Sequence, residues 1–314
     1  MRTRCALVAL LVLAACNTGP VDSIEPVERE AAVEATAGPS PSPSSTPTPS
    51  EPDKPKPFAP APDKDLSFKP GRLAFKLVKV TDALKVSVTR WRRSGEARPP
   101  KVVILQTLYQ QRIYRLMGKR AKLGNRTVAR LDGMLGRSAA GITEAHRLLR
   151  SLVTSPLEPG FEFKTGRKKP ARELLDYYKR AERRFDVDWQ VLAAVNYVET
   201  KFGKVKATSS AGAQGPMQFL PSTWEVYGMG GDIRDDRDAI MGAANYLRAS
   251  GAGEGKPGLR HALFAYNRSD AYVQAVINFA KDIKRRSRHY FAFYNWQVYV
   301  VTTRGDKRLT GPGL

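Results

Sequence analysis

The sequence predicts a mainly α-helical protein that ends in a small β-hairpin-like tail. Three observations predict it. From Arg72 onward, apolar residues recur at spacings of three and four. Pro, Gly, Ser and Asp fall at the ends of those runs, where helices start and stop. Only the last segment, Gln297 to Thr303, turns β-branched and aromatic, and Arg304-Gly305-Asp306 after it reads as a turn.

The helices follow in order. Leu73, Phe75, Leu77 and Val78 open the first. Pro99-Pro100 suits a helix start, and Val102, Ile104, Leu105, Leu108, Ile113 and Leu116 carry the period onward. Further helices are expected over 126–135 and 141–152, with Arg and Lys on their outer faces. In the second half, Leu174, Leu175, Tyr178 and Ala181 share one face of 171–185. Helices are then expected over 189–202, briefly over 216–224, and over 235–249 with Asp235 or Asp236 as N-cap and Gly251 as stop. The last two are 259–266 and 269–283. There is no internal repeat.

The N-terminus reads as an export address. Arg2 and Arg4 precede the apolar run Ala6 to Leu13, which is too short to span a bilayer, and small residues lead to Cys16. Leu13-Ala14-Ala15-Cys16 resembles the lipobox of bacterial lipoproteins, in which the Cys carries lipid; the alternative is an ordinary signal with an incidental Cys. Cys5 would leave with the signal, so the mature chain has neither an intramolecular disulfide nor a Cys-based metal site. From Cys16 to about Leu66 the chain is rich in Pro, Ser, Thr, Ala and Glu, and is expected to be a disordered tether. The expected layout is a signal over 1–15, tether over 16–66, basic helical region over 67–160, a second helical domain over 161–288 and C-terminal extension over 289–314.

The formal net charge is +22, and the tether is acidic, so the part from Ser67 onward carries about +25. Such charge suits a polyanion: nucleic acid, an acidic membrane surface or an acidic wall polymer. The export signal and the lack of an aromatic platform among the basic residues argue against nucleic acid. The basic helices are either a solvated surface or an electrostatic grip on wall polymer or phospholipid.

Glu199 is the first chemical candidate. On the helix from Trp189, the apolar stripe of Val191, Leu192, Val195, Val198 and Phe202 includes the Glu199 position. A carboxyl among apolar neighbours has a raised pKa and suits general acid work; a Glu at a fraying helix end beside Lys201 is the plainer reading. The loop Ser209-Ser-Ala-Gly-Ala-Gln-Gly-Pro-Met-Gln-Phe-Leu-Pro221 is Gly-rich and then amphipathic. Its glycines allow close approach of backbone to a ligand, and Gln218 offers both a donor and an acceptor, although a structural turn has the same composition. Trp224 and Tyr227 are candidates for stacking on sugar faces. His146, His261 and His289 lack ligand spacing, so no metal is expected, and no cofactor. His261 is read as structural.

Together, Glu199-Thr200-x-Phe202-Gly203, Ser210-Ala-Gly-Ala-x-Gly-x-Met-Gln-Phe-x-Pro221 and Ala265-Tyr266-Asn267 resemble the catalytic domain of soluble lytic transglycosylases, relatives of goose-type lysozyme. The resemblance covers about 168–286. The tail from Tyr294 also looks like an extension of exported actinobacterial members. It implies a lysozyme-like helical fold that cleaves the β-1,4 bond between N-acetylmuramic acid and N-acetylglucosamine in peptidoglycan glycan strands. It implies Glu199 as the acid/base, with Met217, Gln218, Tyr266, Asn267, Thr200 and Ser210 toward the substrate; the lipobox resemblance separately implies Cys16 as the lipid anchor. Thr200 stands where the family usually has Ser, and Pro216 where it has a small or apolar residue. Most glycosidases use two carboxylates. Here the substrate acetamido group is expected to replace the second, and Asp232, Asp235, Asp236 and Asp238 are weaker candidates for it. A non-catalytic peptidoglycan-binding lipoprotein and a hydrolytic lysozyme are the alternatives.

Overall fold

The computed structural model describes residues 57–158, 160–161 and 163–314. The signal and Cys16 lie outside the described residues. Phe58 to Leu314 belong to one compact unit.

The chain is helical almost throughout. Eleven helices are found among the described residues: α1 (Pro70–Ser94), α2 (Lys101–Lys119), α3 (Ala121–Val128), α4 (Gly133–Ser151), α5 (Ala171–Phe185), α6 (Trp189–Thr200), α7 (Pro221–Tyr227), α8 (Asp236–Ala249), α9 (Gly255–Tyr266), α10 (Asp270–Arg285) and α11 (Arg288–Asn295). They are followed by the antiparallel pair β1 (Tyr299–Thr302) and β2 (Gly305–Arg308).

Helix boundaries follow the local chemistry. Pro70 opens α1 and Pro100 precedes α2, where a missing N–H costs nothing. The Asp235 carboxylate accepts the amides of Arg237 and Asp238 at the start of α8, and the Ser269 hydroxyl accepts that of Tyr272 at the start of α10. Two expectations need correction. The helix expected over 126–135 is broken, because Asp132 is extended and Gly133 has a φ of 57°, which redirects the chain into α4. The turn of the hairpin falls one residue early: Thr302 pairs with Gly305, so Gly305 and Asp306 belong to β2.

α6 is the centre of the fold. Every residue from Val191 to Thr200 is buried, so the single apolar stripe expected of it is a helix covered all round. α5, α8, α10 and α11 pack against it. α10 is shared: it packs on α6 and also on α4 from the basic region, so one apolar core runs from Leu73 to Trp296. Its densest part is aromatic. Tyr197 lies 4.7 Å from Phe279, and Phe293 lies 4.6 Å from Trp296, within the range where ring pairs attract.

The two ends of the unit are fastened to α2. Gln111 donates to the Gln297 carbonyl at 2.8 Å and accepts the Gln297 amide at 2.7 Å. Asp306 of β2 accepts from Arg115 and Arg150 at 2.6 Å each. Part of the expected tether is docked here as well. Gln106 donates to the Phe58 carbonyl at 2.6 Å, and Arg112 donates to the carbonyls of Pro62 and Lys64. Phe58 and Leu66 supply the apolar contact that holds this stretch down.

α1 turns Leu73, Leu77, Val80, Leu84, Val88 and Trp91 inward. Phe75 and Val78, expected to help open that apolar pattern, are exposed, as is Val86. His261 is exposed on α9, which leaves it without the structural role expected of it.

Candidate active site

Three left-handed residues in a row create the site. Directly after α6, Lys201, Phe202 and Gly203 have φ values of 54°, 63° and 75°. For Lys and Phe this conformation is strained by about 1 kcal/mol each. The abrupt turn stops the helix at Thr200 and leaves Glu199 in its last turn. It also sends the Phe202 ring back into the core, 5.7 Å from Tyr197.

Thr200 joins this turn to the Gly-rich loop. Its hydroxyl donates to the Pro216 carbonyl at 2.6 Å and accepts the Gly203 amide at 2.9 Å. It has no exposed surface, so the expected sugar contact is replaced by an internal one. The loop is further closed by paired bonds between Gln214 and Phe219 at 2.8 and 2.9 Å. Gly215 allows this closure: a Cβ at its position would lie 1.8 Å from the Ile233 carbonyl oxygen. Pro216, the departure noted above, contributes the carbonyl that Thr200 holds.

The loop delivers Met217 and Gln218. Met217 is fully buried, and its carbonyl accepts the Tyr266 hydroxyl at 2.6 Å. Gln218 has a φ of 51° and donates to the Gly215 carbonyl at 3.0 Å. Asn267 ends α9, and its amide donates to the Leu263 carbonyl at 3.0 Å. Ser210 lies exposed at the rim of the loop, next to buried Ser209, whose hydroxyl accepts the Ala213 amide.

Glu199 is 7% exposed. Burial pushes its carboxyl up to about 8; a hydrogen bond from Tyr272 and the charge of Lys201 oppose the rise without cancelling it. The Tyr272 hydroxyl donates to Glu199 Oε1 at 2.7 Å. Tyr266 is held far above its ordinary pKa by burial, and the Glu199 charge adds to that rise, which places the two groups close together. The protonated carboxyl is therefore the dominant form at neutral pH, as a general acid requires. None of the groups that shift Glu199 is a second carboxylate. Asp235 caps α8, Asp232 accepts the Arg234 amide, and Asp238 accepts the Asp232 amide. Asp236 is buried, and burial raises its pKa.

Tyr272 was absent from the residues expected here. Its only sequence signal is its place three residues after the cap Ser269, in the first turn of a helix already foreseen. Trp224 and Tyr227, expected to stack on sugars, pack internally. Trp224 donates to the Gly231 carbonyl at 3.1 Å and packs on Phe219, while Tyr227 lies 4.9 Å from Tyr246. No cluster of metal-ligating side chains occurs among the described residues.

Residues 176–288, which run from within α5 to the start of α11, match the family described as the transglycosylase SLT domain. A particular relative points the same way: membrane-bound lytic murein transglycosylase F of Thiobacillus denitrificans is 32% identical over 82 residues. That match covers 26% of this chain and 17% of the relative. No solved structure matches the chain.

Proposed function

We propose that this protein is a peptidoglycan lytic transglycosylase with Glu199 as its sole acid/base. The single observation that carries this reading is the buried Glu199 carboxyl, raised to about 8 and held by Tyr272 within a segment that matches the transglycosylase SLT domain.

In this mechanism, protonated Glu199 gives its proton to the glycosidic oxygen between N-acetylmuramic acid and N-acetylglucosamine as the C1–O bond breaks. The acetamido oxygen of the muramic residue stabilises C1. Glu199, now a carboxylate, takes the proton of the muramic C6 hydroxyl while O6 bonds to C1. The product is a 1,6-anhydromuramic end, and the carboxyl is again protonated. Its low exposure favours this route over hydrolysis, because a dry site admits the substrate's own hydroxyl ahead of bulk water. In this reading Gln218, Asn267 and Ser210 face the sugar at the cleavage point, while Thr200 and the fully buried pair Met217 and Tyr266 fix the loop and helix end that present them. The chemistry needs no metal and no cofactor.

The localisation that goes with this function is export, with Cys16 lipidated and the enzyme held at the membrane facing the wall. No helix among the described residues is long and apolar enough to cross a membrane, so lipid is the proposed attachment. The outer face of α1, where Phe75, Val78 and Val86 are exposed among Lys76, Lys79 and Lys85, is the proposed contact with anionic wall polymer or phospholipid. No nucleic acid partner is proposed.

The test is incubation of purified glycan strands with wild type and Glu199→Gln, followed by mass analysis. Anhydromuropeptides from wild type alone are expected. Reducing ends in place of anhydro ends would convert the reading to a lysozyme, and no cleavage by wild type would refute it.

A further inference from the structure

A second site lies on the other side of α6, beside Lys201. It is a cavity of about 90 Å³ between α2, the end of α4 and the hairpin. A single water needs roughly 10–15 Å³ measured in this way, so the space accepts a small polyatomic ion. Glu199, Gln218, Tyr266 and Tyr272 do not line it.

Its lining is strongly cationic. Arg115, Lys119, Arg150 and Lys201 all face it, and Asp306 is the one carboxylate among its described lining residues. Asp306 already binds Arg115 and Arg150 at 2.6 Å and lies 3.9 Å from Lys119. Asp306 offsets one of these four cations, and Lys201 is only partly protonated at neutral pH, so at least two positive charges remain uncompensated in a partly enclosed space, where water screens them poorly. Lys201 has no carboxylate partner among the described residues. Its ammonium donates only to the carbonyls of Tyr197 and Val198, at 2.9 and 3.2 Å. Burial, and then the Arg115 charge, bring it down to about 7, against the opposing charge of Glu199.

Neutral donors complete the wall. Tyr197, 1% exposed, lines the cavity. His146 also lines it, with a buried Nε2 that lacks a partner. Burial, foremost, keeps that imidazole well below its ordinary pKa, so it is neutral and acts as a donor in one tautomer.

We propose that this cavity binds one phosphate group, held by Lys119, Arg150 and Lys201. Phosphate is favoured over carboxylate because its second negative charge and extra oxygens answer a cationic excess of at least two and the unpaired His146 Nε2. The phosphate is either free in solution or the terminal monoester of a larger molecule, and the space admits the group alone.

The experiment is calorimetric titration of the intact protein at constant ionic strength with inorganic phosphate, glycerol 3-phosphate and acetate. Saturable binding of one phosphate per chain is expected, weakened about tenfold in Lys119→Gln and in Arg150→Gln, since a charged hydrogen bond is worth about 1.5 kcal/mol or more. Lys119 is half exposed, so its variant keeps the test valid if loss of Arg150 from the Asp306 cluster impairs folding. Binding of inorganic phosphate alone identifies a free ion, and binding of glycerol 3-phosphate as well identifies a terminal monoester. No saturable phosphate binding, acetate binding as tightly as phosphate, or equal affinity in wild type and Lys119→Gln would each overturn the proposal. Glycan cleavage is not the readout, so the result stands apart from the role of Glu199.

Discussion

The Tyr272 hydroxyl donates to Glu199 Oε1 across 2.7 Å, from the first turn of α10 to the last turn of α6. This bond lowers the pKa of a carboxyl that burial has raised to about 8. Tyr272→Phe removes it and should lift Glu199 further. A general acid is lost as pH rises through its pKa, so the alkaline limb of the cleavage profile should move to higher pH. The maximum rate should fall about tenfold, as the acid loses the group that orients it. A pH–rate profile checks both. An unmoved alkaline limb would contradict the stated role.

Glu199→Gln should abolish cleavage and stabilise the fold. The carboxyl titrates near 4.5 when unfolded and near 8 when folded, so its favourable contribution is complete below 4.5 and is lost as pH rises through 8. The melting temperature of the variant should exceed that of wild type, with a gap that widens from pH 5 to pH 8. The difference at pH 8 should be about 2–4 kcal/mol after relaxation of the site is allowed for. Thermal melts over that range decide it, and a constant gap would be the wrong result.

Thr200→Val leaves the Pro216 carbonyl and the Gly203 amide without their buried partner. It should cost about 1–3 kcal/mol in stability and reduce activity through displacement of the loop. Thr200→Ser keeps the hydroxyl and should behave close to wild type. Denaturant titration alongside glycan cleavage separates the two.

Gly215→Ala should be more damaging than most surface substitutions. It adds a Cβ at a φ of 74°, against the Ile233 carbonyl. The expected loss is about 2 kcal/mol or more, since overpacking and backbone strain act together. A melt within a degree of wild type would mean that the loop shifts freely.

The outer face of α1 should show its role through salt. If its cations grip an anionic polymer, raising ionic strength weakens binding to intact walls more than cleavage of short soluble fragments. Substituting Lys76, Lys79 and Lys85 with Gln should reproduce the effect at low salt. Equal sensitivity of both substrates would leave the face as ordinary solvated surface.

Much of the helical order was legible, because signals such as the Asp235 cap of α8 and the Pro99-Pro100 start of α2 act locally. Less was legible where distant partners decide. Ten consecutive buried residues in α6 depend on four helices arriving around it, and no periodicity within α6 reports them. Tyr272 becomes part of the site only because α10 lies against α6. Trp224 looked like a sugar platform, because an indole reads the same whether glycines close over it, as Gly228 and Gly242 do, or a ligand does. The helix α11 was missed: it is short, half aromatic, and follows α10 after only a brief break.

Trp296 and Gln297 have a consequence for the order of folding. Gln111 holds both backbone groups of Gln297 across a separation of 186 residues, and Trp296 closes the aromatic centre. Contacts this distant in sequence form late, since a long loop must close before they stabilise anything. A nascent chain that is still emerging therefore holds every other part of the core and cannot seal it. Completion waits for Trp296 and Gln297 to arrive, and the core stays unsealed until they do.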